Sequence, residues 1–516
     1  MFASLAVYAD FAAVLAISMI VARTLGPTTF GTYTLLMWFA SVGVVLANHG
    51  IATGVMKFLG EARGQEEPAL ARRVLGHFER MQLLSCAVVC LVLGLAVPLL
   101  SSRVTAEAEG QWLLWVVLVA VAARALFVFY VSAAKGFENF RVPARVQGVA
   151  APIGLALVVI AAWGGATLSG FVVAYAFGAL VYAVVSRVAF FRSLTASVRA
   201  AHGAHDAAQR ELPVVRIRRH VAFASVIVLL EILVLRQTEV LFLERFSTPE
   251  NIAFYGIGRS LASSAMLLIP GVAAALLLPM MSRTFGADPT LLGARFLAAT
   301  RYLLLLAVPV VAAGEVFAAD VITALYGDAY APAILVFRIT LAASAVGAVS
   351  ASASSYQLGA DRQAAIVATM MGTALFTLLL DFVLIRAHAL NGAIAAGSAG
   401  SVLLGVALLW HAKKALDVRL DIAVYWRILG AGLVATLPAL AVRALLPLWL
   451  ALPVGALALA ATYLLMTLVL GTWARSDLAA MSALVERAPR RFRAPVAWLL
   501  QRASNVTTMI PREGVT

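Results

Sequence analysis

The sequence predicts an all-α polytopic membrane protein with about fourteen transmembrane helices. Three observations predict it: apolar residues dominate the composition, they come in runs long enough to cross a bilayer, and the basic residues between runs alternate in density. Of the 516 residues, 63% are hydrophobic and 12% are charged, against about half and about a quarter in soluble domains. One or two cores surrounded by water cannot hide that much apolar surface, and the remainder would aggregate. Lipid is the solvent that fits.

Each crossing needs about 20 apolar residues. Runs broken by charge, Pro or Gly give spans at 3–22, 32–56, 81–100, 111–134, 144–163, 167–191, 220–243, 253–281, 296–318, 331–357, 364–385, 392–411, 427–446 and 450–472. Of the 39 Lys and Arg, 30 fall in one set of alternate loops plus the C-terminal tail, and 5 in the opposite set. Cytoplasmic loops carry such an excess, and a miscounted span would scramble the asymmetry downstream. The span number is therefore even and both termini are expected in the cytoplasm. The first span lacks a basic n-region and many spans follow it, so it reads as retained rather than cleaved.

The net charge of +14 would suit nucleic acid if it formed one stripe. Here it follows the loops, as orientation signals do, and no basic–aromatic cluster for stacking bases exists. Nucleic acid is not an expected partner; membrane lipids are. Outer loops are short, at most about a dozen residues on this count, which leaves no room for a polymerase-type acceptor site. The sizeable polar segments, 57–80, 192–219 and 473–516, face the cytoplasm. The last of these is basic ("RAPRRFR") and suits a helix lying in the membrane interface.

No catalytic constellation stands in the chain. The seven His form no HExxH, no GxxxxGK[ST] offers an ATP site, and no metal-ligand set or cofactor motif appears. Cys86 and Cys90, four apart in one apolar run, read as small packing residues.

The chain also repeats. "LGPTTFGTY" (Leu25 to Tyr33) follows the first span and "FSTPENIAFY" (Phe246 to Tyr255) follows the seventh; Pro27 to Tyr33 and Pro249 to Tyr255 are each six residues apart. "KGFENFR" (135–141) and "LGADRQ" (358–363) form a second echo, followed at near-equal distance by Gly170 and Gly392. This predicts an N-terminal six-helix bundle (1–191), a basic cytoplasmic linker (192–219), a C-terminal six-helix bundle (220–411), an extra helix pair (412–472) and a cytoplasmic tail (473–516). An even number of spans per half makes the two bundles parallel, as in transporters that rock about an axis along the membrane normal, with the substrate expected in the cleft.

At these residues the chain resembles the polysaccharide (oligosaccharide-lipid) flippases of the multidrug/oligosaccharidyl-lipid/polysaccharide exporter superfamily. "ARTLGPTTFGTYTL" looks like that family's first loop. "ANHGIATGVMKFLGEARG" (47–64), "FYGIGRSLAS" (254–263), "LLLPMMSRTFG" (276–286), "YQLGADRQ" (356–363) and "LNGAIAAGSAG" (390–400) resemble its second, eighth and eleventh helices and their flanks. The chain departs from the family at Glu239, where Asp is usual. The resemblance implies a non-enzymatic flippase in a bacterial cytoplasmic membrane. It would move undecaprenyl-diphosphate-linked oligosaccharide repeat units outward by alternating access, for exopolysaccharide, capsule or O-antigen synthesis. Its expected partners are the lipid-linked oligosaccharide and, among proteins, the polymerase and other assembly factors. A drug/cation antiporter of the same superfamily and a lipid II-type flippase remain open. A membrane glycosyltransferase lacks the soluble domain it needs, and a scaffold without transport would show only paired charges.

Charges inside the bilayer are costly, so they face a cavity or a partner. Arg259 has no acid within four residues and is the first candidate for binding diphosphate, since a guanidinium fork suits phosphate oxygens. Arg124, Arg338, Arg236 and, at the membrane edge, Arg23 are further cavity candidates. Asp10, Glu231, Glu239 and Asp381 are candidates for proton or cation coupling. Arg236 and Glu239 are three apart and can pair on one helix face, and Glu315 lies near an outer end. Pro270 and Pro279 are expected to bend the eighth span.

Overall fold

The computed structural model describes residues 2–64, 67–104, 109–200, 212–235, 238–267, 277–360 (except 278, 279, 282 and 286), 362–474 and 477–478. Within them the chain is helical almost throughout. Helix α1 runs Phe2–Asn48, α2 Ile51–Gly64, α3 Pro68–Val104, α4 Glu109–Gly136, α5 Arg141–Trp163 and α6 Leu168–Ala200. Next come α7 Val214–Leu235, α8 Glu239–Phe246 and α9 Pro249–Leu267. Then follow α10 Leu292–Tyr326, α11 Ala333–Gly359, α12 Gln363–Leu380, a π-helical turn Asp381–Ile385, α13 Arg386–Leu416, α14 Ile422–Leu445 and α15 Leu448–Val469. Pro270, Pro279 and most of the tail lie outside the described residues.

The helices exceed the apolar runs that nucleate them, because polar residues at bilayer edges extend a helix once lipid forbids open backbone. Ten stretches among the described residues are long and apolar enough to cross a membrane. Two of them, Ala12–Arg63 and Ala364–Leu416, have 52 and 53 residues. At 1.5 Å per residue each is roughly 78 Å long, more than twice the hydrocarbon core, so each holds two crossings. Both contain a kink where the backbone is non-helical. In α1 it is Gly26 (φ 70, ψ 170), followed by Pro27. Glycine takes that conformation without a Cβ clash, and proline restarts a helix without needing a donor. In α13 it is Ala389 (φ 47, ψ −120). The protein is thus a polytopic membrane protein of about ten to fourteen long apolar helices.

Two spans read as continuous in the sequence are broken. Span 32–56 is interrupted at His49–Gly50, between α1 and α2, and span 220–243 has a turn at Thr238, just before α8. The first break carries neither the Pro nor the charge run that marks a helix end in a hydropathy pattern.

The chain separates into two compact units. One comprises residues 1–256 with 378–393, the other 257–377 with 394–516. The first has an aromatic core in which Phe58, Phe78, Phe129, Tyr130, Phe190 and Ile217 are buried together. The second is organised by small residues. Ala431, Ala435 and Ala439 recur every fourth position of α14 and are fully buried. A Cβ on Gly432 would lie 2.3 Å from Val308, and one on Gly455 would lie 2.5 Å from Phe317. Between lipid-soluble helices, close approach at such stripes replaces the hydrophobic drive available in water. The opposite faces are apolar and open. Leu84, Val88, Leu91 and Leu95 form a helical stripe on α3, with Leu91 63% and Leu95 71% exposed. Such a stripe is stable facing acyl chains and would aggregate in water.

Candidate functional site

The first unit contains an open cavity of about 490 Å³. Its walls come from the end of α1 (Ser41, Val44, Val45, Asn48), the break and start of α2 (His49, Gly50, Ala52, Thr53), α4 (Arg124, Phe127, Val128), α5 (Gln147), α6 (Tyr175) and α7 (Val228). The helix break itself places the polar side chains. Asn48 turns its amide N–H₂ back onto Val44 O at 2.9 Å. Ser85 of α3 donates to Ala47 O at 2.8 Å and stands 3.3 Å from His49 Nδ1, which also lies 2.8 Å from Leu46 O. Buried Gln82 donates to Ala47 O at 3.1 Å. The carbonyls freed where α1 ends are therefore met from α3 and from local side chains, as buried backbone groups must be.

Arg124 is the cation of this cavity. It sits on α4 between aromatic rings, its guanidinium 4.4 Å from the centre of Tyr182 and 5.5 Å from that of Phe127. No carboxylate pairs with it among the described residues. Aromatic faces stabilise a cation without neutralising it, so the charge stays available to an anion.

The other sequence candidates are placed differently. Arg338 pairs with Glu315, Nε to Oε2 at 3.6 Å, and donates to Glu315 O at 3.1 Å. Arg259 is half-buried on α9, where neighbouring Gly258 packs closely on Val336. Arg23 is exposed on α1. Glu239, at the start of α8, and Asp381, at the π turn, are both buried in the first unit. Thr238 donates to Asp381 Oδ2 at 3.1 Å, which brings the two segments together. The packing of Phe246 on Phe382 supports that contact. Glu239 Oε2 is buried with no hydrogen-bond partner among the described residues. Arg236 lies outside the described residues, as do the side chains of Asp10 and Glu231. No cluster of three or more His, Cys, Asp or Glu could hold a metal among the described residues.

The two repeat motifs meet one another. Thr28 of "GPTTFG" donates to Glu250 Oε1 of "TPEN" at 2.6 Å. A Cβ on Gly31 would lie 1.8 Å from Pro249 O, so only glycine permits the approach. The Thr28 hydroxyl, helped by the backbone and by Thr248, holds the Glu250 carboxyl below the usual carboxylate range. The second unit holds an open cavity of about 740 Å³ between α10, α11 and α14. Its lining is mainly aliphatic, with Leu304, Val308, Val316, Val346, Leu429 and Leu433 among its walls and Glu315, Tyr425, Thr300 and Thr436 as the polar members.

Residues 20–335 match the family model described as polysaccharide biosynthesis protein. No curated protein matches the sequence. Among solved structures, the fold is similar to the lipid II flippase MurJ in an inward closed conformation: TM-score 0.70, 12% identity, covering 90% of this chain and 97% of that one. It is also similar to an inward-facing multidrug resistance MATE family transporter of the MOP superfamily, with TM-score 0.65, 14% identity and coverage of 79% and 94%. A MOP superfamily transporter from Pyrococcus furiosus, whose binding pocket is described as of reverse polarity, matches with TM-score 0.58, 14% identity and coverage of 81% and 94%.

Proposed function

We propose that this chain, which belongs to the polysaccharide biosynthesis protein family and thereby to the MOP superfamily of transporters rather than to a family of enzymes, is a flippase. Its cargo is an undecaprenyl-diphosphate-linked oligosaccharide repeat unit. The cargo crosses a bacterial cytoplasmic membrane from the inner to the outer leaflet by alternating access, for a polymerase and other assembly proteins to use. Both termini are cytoplasmic, and the spans form two parallel six-helix bundles plus a helix pair.

The sign of the half-buried cavity charge carries the reading. Arg124 stands in a membrane cavity with no counter-charge among the described residues. An unneutralised guanidinium in lipid is costly unless an anion visits it. A drug/cation antiporter would need the opposite sign. The apolar cavity of the second unit supports an amphiphilic cargo, since a polyprenyl chain needs an aliphatic bed. Arg259 is proposed to contact the diphosphate, whose oxygens suit an Arg fork. Buried Asp381, which accepts from Thr238, and buried Glu239, next to Thr238 in the chain, are proposed to couple transport to a proton or cation, and Arg338 to hold Glu315. Proteoliposomes test the cargo. The chain is expected to translocate a polyprenyl-diphosphate oligosaccharide and to ignore cationic drugs; uptake of the drugs with no lipid translocation would replace this reading with the antiporter.

A further inference from the structure

We infer that the cavity around Arg124 is a saccharide site that selects an acidic sugar: a uronate carboxylate on Arg124, with the sugar hydroxyls on the neutral side chains beside it. The inference rests on the flippase reading and names the part of the cargo that this cavity holds.

Hydrogen-bond accounting distinguishes a sugar from a diphosphate. Asn48 is 7% exposed, and its amide N–H₂ faces Val44 O. A carbonyl can only accept, so the amide orientation is fixed and Oδ1 is left as an acceptor. That Oδ1 is buried without a partner among the described residues. A buried acceptor in this state needs a donor. A diphosphate at neutral pH offers acceptors only, whereas a sugar hydroxyl supplies the donor. Gln147 and Tyr175 line the same cavity and make no side-chain hydrogen bond within the protein among the described residues, so both remain available to hydroxyls. The ring of Tyr175 offers a flat apolar face of the kind that packs on the C–H face of a pyranose.

Charge accounting agrees. Arg124 is the one permanent cation in this lining among the described residues. One guanidinium matches the single charge of a carboxylate and binds it in a bidentate fork. A diphosphate, with about two charges, would leave one unmatched in a low-dielectric wall. The volume, about 490 Å³, is that of a small-molecule site, typically about 300–1,000 Å³.

The test uses the full-length protein in nanodiscs and ligand-observed NMR titrations with four probes: methyl glucuronide, its neutral methyl ester, methyl glucoside and inorganic pyrophosphate. The glucuronide is expected to bind about tenfold or more tighter than the ester or the glucoside, the usual strength of a charge-assisted pair. Arg124→Gln should erase that preference, and Arg124→Lys should restore part of it. Asn48→Leu should weaken the glucuronide and the glucoside alike. The comparison of glucuronide with its ester needs only the wild-type chain, so it stands even if a variant fails to fold. Equal binding of glucuronide and ester would overturn the inference. So would displacement of the glucuronide by pyrophosphate in an Arg124-dependent manner, which would make this the diphosphate site. Flipping of acidic and neutral lipid-linked oligosaccharides at the same rate would also remove the selectivity while leaving the flippase reading intact. Flipping of neither would instead remove the flippase reading.

Discussion

Arg124 and Arg338 look alike in the sequence, each a lone cation in an apolar run, yet their surroundings differ. Arg338 lies against the carboxylate of Glu315, whereas Arg124 rests on two aromatic rings. Their substitutions should therefore differ in kind. Arg124→Gln is expected to cut translocation at least tenfold with little change in thermal stability, read by a flipping assay and a melting curve in detergent. Arg338→Gln is expected to lower stability on the order of 1 kcal/mol, since both partners are more than a third exposed. Adding Glu315→Gln should recover that loss, and a double-mutant cycle measures it. The intramembrane charges were legible in the sequence because each is costly in lipid and so stands out. Asn48, Gln147 and Tyr175 were not, because neutral polar residues inside apolar runs are common. The one signal was "ANHG", a polar interruption of a hydrophobic span, and it marks the helix break that builds the cavity.

At the scale of elements, the contact between the two repeat motifs yields a pH prediction. The Glu250 carboxyl is held low by the Thr28 hydroxyl, so the contact is complete above the ordinary glutamate range, near 4.3. It is lost as pH falls through the lower, folded-state value. In a chain freed of Cys86 and Cys90, labelling of Thr29→Cys by an impermeant thiol reagent should rise when pH drops from about 7 to about 3.5. Glu250→Gln should label strongly at both values, and labelling insensitive to pH would discount the contact. Packing yields a second prediction. Gly455→Leu places a side chain where Phe317 already lies 2.5 Å from a Cβ, and overpacking of this kind costs about 1–3 kcal/mol. The melting temperature should fall while the protein still inserts. Among the described residues a helix overlaps each expected span, and ten stretches are long and apolar enough to cross a membrane, because apolar length decides what lipid admits. Hydropathy missed the break at His49–Gly50, the turn at Thr238 and the π turn at Asp381–Ile385. Those depend on tertiary partners such as Ser85, Gln82 and Thr238 rather than on local propensity.

For the whole molecule, the sequence made the class legible through composition and motif resemblance, and the family match over residues 20–335 agrees. The cargo was less legible, because polyprenyl recognition needs only an aliphatic surface and leaves no motif. The chain is proposed to be a cationic carrier for an anionic amphiphile. Outward movement of a headgroup with about two negative charges from an inside-negative compartment is favoured by roughly 2.3 kcal/mol per charge per 100 mV. Return of an empty cationic cavity inward would be favoured too, so the proposed cycle would run without ATP.

The most direct test reconstitutes the chain in proteoliposomes with a fluorescent polyprenyl-diphosphate oligosaccharide in the inner leaflet. Its appearance in the outer leaflet is followed with and without an inside-negative potential. The account predicts translocation well above protein-free vesicles, accelerated by the potential and lost with Arg124→Gln. Translocation no faster than in protein-free vesicles, at any potential, would contradict it.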